Sequence, residues 1–194
     1  MERIKLEDIA EINTGYQLRS KVVHDDSGQY TLIQMSNTSN KKLNLTNVLR
    51  ANLQNVNENH IVRIGDVLFV SKGINNYATV INISLPNNTV AAYHFFRIRI
   101  YKKQLIASGY LAWYLNENQA QRYFYKVGEG TNTMMVTRKN LGKLPIPLPS
   151  LEKQKKIIEL YQLLDKEKEL TQNLYEKRKL LATAICQKII EQGD

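Results

Sequence analysis

Side chains able to make or break bonds are few in this sequence, and they are scattered. The three histidines, His24, His60 and His94, stand far apart and lack the short spacings of a metal-binding set. Cys186 has no histidine near it in sequence to activate it as a nucleophile. Its place among apolar residues suits a small buried side chain. Asp66 follows Gly65, which marks a turn, and has no second carboxylate close by of the kind a metal nuclease gathers. Gly128-Glu129-Gly130 is followed neither by Lys-Ser/Thr nor by a strand–helix pattern, so it is not a phosphate-binding signature. No catalytic residue, metal ligand or cofactor site is expected. The chain does offer hydrogen-bonding side chains of the types that read base edges: Arg or Lys for guanine, Asn or Gln for adenine. They fall in three polar stretches: Gln17, Arg19 and Lys21; Lys72, Asn75 and Asn76; Thr131, Asn132 and Thr133. Lys102, Lys103, Arg138 and Lys139 flank structured elements and suit phosphate contacts. Taken singly, each of these is equally an ordinary solvated side chain; only as sets do they point to a ligand.

The charge distribution favours a polyanion. The chain of 194 residues has a formal net charge of +9. Residues 1–149 hold 18 Lys/Arg against 10 Asp/Glu, and residues 150–194 hold 9 against 8. The excess thus sits in the first part, as in a domain that meets nucleic acid, whereas a neutral tail suits protein pairing. A hydrophobic content of 43% is that of a globular chain. A single cysteine excludes an internal disulfide and fits the reducing cytoplasm. The N-terminus has no apolar run of the kind a signal peptide needs, and no stretch of about 18 apolar residues exists, so no membrane contact is expected.

The elements that must position these stretches are legible in part. Residues 6–12 read as a short strand or helical turn ended by Asn13-Thr14-Gly15. Residues 30–35 are β-like, and 36–47 read as loop. Residues 61–64 and 67–70 form two β-rich runs around Gly65-Asp66, with further strands at 77–85 and 90–101. In the last, Phe96, Ile98 and Ile100 alternate with Arg97 and Arg99, which predicts one apolar and one basic face. Ser108 is placed to cap a helix to about Tyr125, whose aromatics suit core packing. Thr137 begins a short capped turn. Strands and helices together make an α+β chain.

The C-terminal part is the most distinctive. Leu144-Pro145-Ile146-Pro147-Leu148-Pro149 holds three of the four prolines. Each fixes its own φ and drives its predecessor out of the α region, so the strap is extended. Ser150 then suits an N-cap, and Glu152 puts negative charge on the first helical turn. From Leu151 to Ile190 there is neither Pro nor Gly, which at ~1.5 Å per residue allows about 60 Å of helix. Its apolar residues form two blocks. Ile157, Leu160, Tyr161 and Leu164 make the first; Leu170, Leu174, Leu181, Ile185 and Ile189 make the second. Lys166-Glu167-Lys168-Glu169 lies between them, where a break into two helices is also allowed. The spacing fits a helix–helix seam, a coiled coil longer than one domain of this size requires. The alternative is a terminal helix folded back on its own domain. The domain boundaries are set at 1–143 and 144–194.

Several segments together resemble the DNA-specificity subunit of type I restriction–modification systems. They are Leu6-Glu7-Asp8-Ile9-Ala10-Glu11-Ile12 with Gly15-Tyr16, Gly65-Asp66-Val67-Leu68-Phe69, the Gly130-Thr131 loop, and the proline strap followed by Leu151-Glu152-Lys153-Gln154-Lys155-Lys156-Ile157. The last is the most specific. The resemblance implies a mixed α/β target recognition domain followed by a spacer helix, without catalytic activity. It implies double-stranded DNA, an adenine methyltransferase subunit and a restriction (translocase) subunit as partners. The family pattern has two recognition domains and two helices, whereas this chain has one of each, so it resembles a half-subunit, expected to pair with itself through the helix, or a truncated gene. A metal-dependent nuclease or other DNA-acting enzyme, and a protein-binding scaffold with no DNA role, are the alternatives from other classes.

Overall fold

A computed structural model describes residues 3–18, 22–128 and 134–191. The chain divides into two units, Met1–Gln154 and Lys155–Asp194. The first begins with β1 (Arg3–Lys5), a 3-10 turn at Leu6–Asp8, β2 (Ala10–Thr14), β3 (Tyr30–Ile33), further 3-10 turns at Met35–Lys41, and β4 (Leu49–Ala51). There follow β5 (Val67–Val70), β6 (Lys72–Gly73), β7 (Ala78–Val80), β8 (Thr89–Ala91) and β9 (Phe95–Ile100). Then come α1 (Ser108–Asn116), α2 (Asn118–Val127), β10 (Met134–Met135), α3 (Arg138–Gly142), β11 (Pro145–Pro147) and α4 (Leu151–Glu191). One antiparallel sheet runs β2-β9-β5-β7, and a second runs β4-β3-β8, with β3 and β8 parallel. This is the α+β class expected. Among the described residues no helix is long and apolar enough to cross a membrane.

β9 lies between β2 and β5, and its alternation splits its side chains between two faces, as the pattern predicts. The polar face does not meet solvent as a basic surface. Arg97 is 1% exposed. Its Nε donates to the Asn59 carbonyl at 3.0 Å, its Nη2 to Glu11 at 3.4 Å, and its Nη1 lies 4.0 Å from Asp66 Oδ2. Arg99 grips the same carboxylate in two-pronged fashion, at 2.8 and 2.7 Å, and donates to the Ile61 carbonyl. Alternation shows that two faces differ; it does not show which one is covered. Asp66, read as a turn former, is 2% exposed and is the anion of this cluster. The turn is real as well: Gly65 has φ +91, and Asp66 Oδ2 accepts the Arg63 N–H at 2.8 Å.

Other boundaries shift for local reasons. Asn13 and Thr14 continue β2 instead of turning, because they pair with Arg97 and Phe96. The run 61–64 forms no strand beyond an isolated bridge of Ile61 to Val90. The predicted strand 90–101 is two strands in different sheets, parted by a turn at 92–95. The predicted helix 108–125 is two helices. Asn116 ends the first by donating to the Ala112 and Ala78 carbonyls while accepting the Ala78 N–H. Ser108 lies inside the first turn of α1 and is not its cap. Thr137 caps α3 as expected, accepting the Asn140 N–H.

The strap is extended, as its prolines require. It pairs antiparallel with β1, Ile4 opposite Ile146. Tyr110 and Tyr114 donate their hydroxyls to the Pro147 and Pro145 carbonyls. This pairing puts the strap in the globular unit. So does Gln154, which is fully buried: its Oε1 accepts the Ala107 N–H, and its Nε2 donates to the Leu105 and Pro149 carbonyls. The two units accordingly divide after Gln154 and not after residue 143. α4 is unbroken through the charged waist. Leu160, Leu164, Leu170, Leu174, Leu181, Ile185 and Ile189 are all exposed along it, and so is Cys186, contrary to the buried site expected for it.

Removing Asp66 would leave Arg99 without its close anion and Arg97 with only Glu11, at 3.4 Å. Asp66→Ala is expected to cost about 3–5 kcal/mol of unfolding free energy. Glu58→Ala, which breaks only an exposed pair with Arg63, should cost less than about 1 kcal/mol. Urea denaturation of the two variants checks the contrast.

Candidate nucleic-acid interface

The candidate loops are organised around the 92–95 turn, which connects β8 of one sheet to β9 of the other. The Phe95 N–H closes it on the Ala92 carbonyl at 3.0 Å. On one side lies the chain after β2. The Gly15 N–H donates to the Phe95 carbonyl and the Tyr16 N–H to the Ala91 carbonyl, and Tyr16 bridges to Ala92. Gly15 is required there: a Cβ would sit 2.2 Å from the Ala92 carbonyl oxygen. On the other side, Ser71 donates both its N–H and its hydroxyl to the His94 carbonyl, at 2.8 and 2.9 Å. The next residue, Lys72, pairs with Met135 and Gly73 with Met134. One turn thus brings the 16–18 stretch, the 72–75 stretch and the strand that follows the third polar stretch to one edge of the domain.

At this edge Gln17, Lys72 and Asn75 are exposed. Asn76, named as a base reader, is not available: it is 7% exposed, and its Nδ2 donates to the Val70 carbonyl at 2.9 Å. It closes its own loop. Arg19, Lys21, Thr131, Asn132 and Thr133 lie outside the described residues. The phosphate candidates are elsewhere. Lys102 and Lys103 follow the far end of β9, about 20 Å from the turn at ~3.3 Å per residue. Lys103 borders a cleft of about 420 Å³ with Arg63, Asp66, Arg99 and the start of α1. Arg138 and Lys139 share a depression with Glu7, Glu11 and Tyr101, so carboxylates temper their charge.

Sequence reasoning missed the turn itself. Tyr93 is 45% exposed, and its ring lies 3.8 Å from that of His94, centroid to centroid, at 35°. Leu18, Gln34, Met35 and Ser36 complete a shallow depression of about 280 Å³ against them. The available signal was the break in an apolar run, Ala91-Ala92-Tyr93-His94-Phe95-Phe96; without Gly, Pro, Asn or Asp it does not announce a turn. Burial holds the His94 pKa below its ordinary value, and the neighbouring Lys72 charge lowers it further. Among the described residues no group of three or more His, Cys, Asp or Glu side chains could hold a metal ion.

This geometry can be set beside known proteins. The model of the type I restriction modification DNA specificity domain matches residues 1–178, and the chain belongs to that family. Among solved structures, it resembles the S subunit of a type I restriction–modification system from M. genitalium, with a TM-score of 0.57 at 10% identity over 84% of this chain and 38% of that one. It also resembles the HsdS subunit from Thermoanaerobacter tengcongensis, with a TM-score of 0.59 at 17% identity over 86% and 37%. A chain described in work on complex assembly and conformational transition of the type I R-M system gives 0.60 at 17% over 86% and 38%. At these identities the likeness is one of fold. The chain spans less than two-fifths of the length of each of these structures. A comparison with curated proteins found no match.

The His94 environment yields a pH dependence. Because the folded state disfavours the imidazolium, the unfolded chain binds the extra proton first as pH falls. Stability from this group is therefore complete above the ordinary histidine value of 6.5 and declines as pH drops below it. NMR titration should place the His94 midpoint below 6.5, and Lys72→Ala should raise it part of the way back.

Proposed function

We propose that this chain binds double-stranded DNA at a specific sequence, as the specificity component of a type I restriction–modification system. The observation that carries this reading is the convergence, in a domain of the DNA-specificity family, of separate stretches rich in base-reading residue types on one clamped turn. Loops held on a rigid scaffold are where recognition residues concentrate. Gln17, Asn75 and Lys72 read or hold the duplex from this edge, joined by Arg19 and Lys21, which follow Gln17 in sequence, and by Thr131, Asn132 and Thr133, which precede the strand paired with Lys72 and Gly73. Lys102, Lys103, Arg138 and Lys139 contact phosphate farther along the DNA. The chain has no catalytic role of its own. It acts in the cytoplasm, and the first unit, extended by the strap to Gln154, is the recognition domain.

Two copies pair through α4, antiparallel, with the leucine and isoleucine blocks as the seam. Contiguous exposed apolar residues on this scale mark an interaction surface. A two-fold pair reads the same half-site twice in opposite orientation, so its target is an interrupted palindrome with half-sites one or more turns of ~34 Å apart. Adenine methyltransferase and restriction subunits dock on the same assembly, using apolar residues off the seam such as Leu163, Tyr175, Leu180 and Ile190. A host methylome with and without the gene tests the whole reading; an unchanged methylome would sink it.

On a selected target duplex, Asn75→Ala should cost about 1–3 kcal/mol while leaving random-duplex binding intact. Lys72→Ala should weaken both alike and reduce the salt slope by roughly one unit. Replacing Leu174 and Leu181 together with Glu should convert a dimer to a monomer in sedimentation analysis. A wild-type chain that already sediments as a monomer at micromolar concentration would refute the pairing.

A further inference from the structure

We infer that the stacked pair Tyr93–His94 is a sequence-reading element in its own right, contacting base edges at the centre of the interface. This rests on the DNA-binding reading above and names which side chains, beyond the hydrogen-bonding loops, set the specificity.

Three features carry it. The first is position. The pair occupies the turn on which the 16–18 and 72–75 stretches both close, so a duplex reached by Gln17 and Lys72 together passes over the residues between them. The second is rigidity. The His94 carbonyl takes two hydrogen bonds from Ser71, the flanking carbonyls of Ala91 and Phe95 are held by Tyr16 and Gly15, and the two rings stack on each other. A recognition group must be held in place before it binds if binding is not to be spent on ordering it. By contrast, Tyr125 on α2 is 79% exposed. The third is chemistry. The Tyr93 ring presents an apolar face to the thymine methyl, and a neutral imidazole offers one donor and one acceptor for purine edges. Neither side chain supplies a charge, in contrast to Lys72 beside it. Burial and Lys72 both keep His94 neutral. The depression of about 280 Å³ bounded by Leu18, Gln34, Met35 and Ser36 is small and open for a free small-molecule ligand, but it accommodates the edge of a larger one. Ile74, 86% exposed on the adjoining loop, adds a second apolar contact of the kind the thymine methyl takes.

The test is selection from a pool of randomised duplexes by the full chain, wild type and variants, followed by affinity measurement on the enriched and a scrambled duplex. Tyr93→Ala should erase the preference at one or two adjacent positions while keeping the rest of the motif. Affinity for the enriched duplex should fall about 5- to 150-fold, with scrambled-duplex affinity and salt slope unchanged. His94→Ala should relax a neighbouring position. Tyr93→Phe, which keeps the ring, should keep the motif. An unchanged motif and affinity in Tyr93→Ala would overturn the inference, as would an equal loss on both duplexes, which marks a merely structural turn. A wild-type chain that enriches no sequence would overturn the DNA-binding reading itself, and this inference with it.

Discussion

The first unit depends on the buried pairing of Asp66 with Arg99 and Arg97. Two cations at alternate positions of β9 reach one carboxylate and, beyond it, the carbonyls of Asn59 and Ile61. Burying such charges costs several kcal/mol per ion unless each is matched by partners of good geometry, and here the partners lie on a segment that has almost no regular structure of its own. That segment is thereby fastened to the four-stranded sheet. The same segment meets β8 of the other sheet, through the Val62 N–H to the Thr89 carbonyl and the Ile61–Val90 bridge. The ion cluster helps tie the two sheets together, alongside the shared apolar core of Ile33 and Ala91 with Leu68, Val70 and Phe95, and the 92–95 turn is the short connection between them.

From that constraint follows the stiffness of the candidate interface's foundation. The turn cannot shift without breaking its bonds to Ser71, Gly15 and Tyr16. The loops that leave it therefore start from fixed positions, while their tips carry exposed polar side chains free to match a partner. Asn76 shows the division of labour within one loop: its amide holds the backbone, while Asn75 beside it faces solvent.

The C-terminal part rests on a different balance. Gln154, itself buried, satisfies three backbone groups at once and fixes the first turn of α4 to the globular unit. The strap shows how a segment poor in donors is accommodated: its prolines leave carbonyls free, and Tyr110 and Tyr114 donate to two of them. Along the rest of α4 the leucines, Ile185, Ile189 and Ile190 are exposed in the single chain, and Ile157 and Ile158 half-buried. A helix of this length gains most of its stability from tertiary packing, and its seam residues have nothing of their own chain within the second unit to pack on.

The sequence by itself determined the features that follow from local covalent constraint: the extended strap from its prolines, the uninterrupted helix after Ser150, the Thr137 cap, the turn at Gly65. It also determined the family, through the order of its motifs, and the residue types offered for base reading. Tertiary structure alone decided which side of β9 is covered, because periodicity of two separates faces without saying what packs on either. That is why Arg97 and Arg99 read as a basic surface, while Arg97 is in fact buried and Arg99 half-buried around Asp66, and why Asn76 read as a ligand contact while its amide holds the Val70 carbonyl. It also decided that Tyr93 and His94 stand at the centre of the candidate interface. Their place comes from hydrogen bonds to residues more than twenty positions distant along the chain, Ser71 on one side and Gly15 on the other, and no local pattern encodes a meeting of that kind.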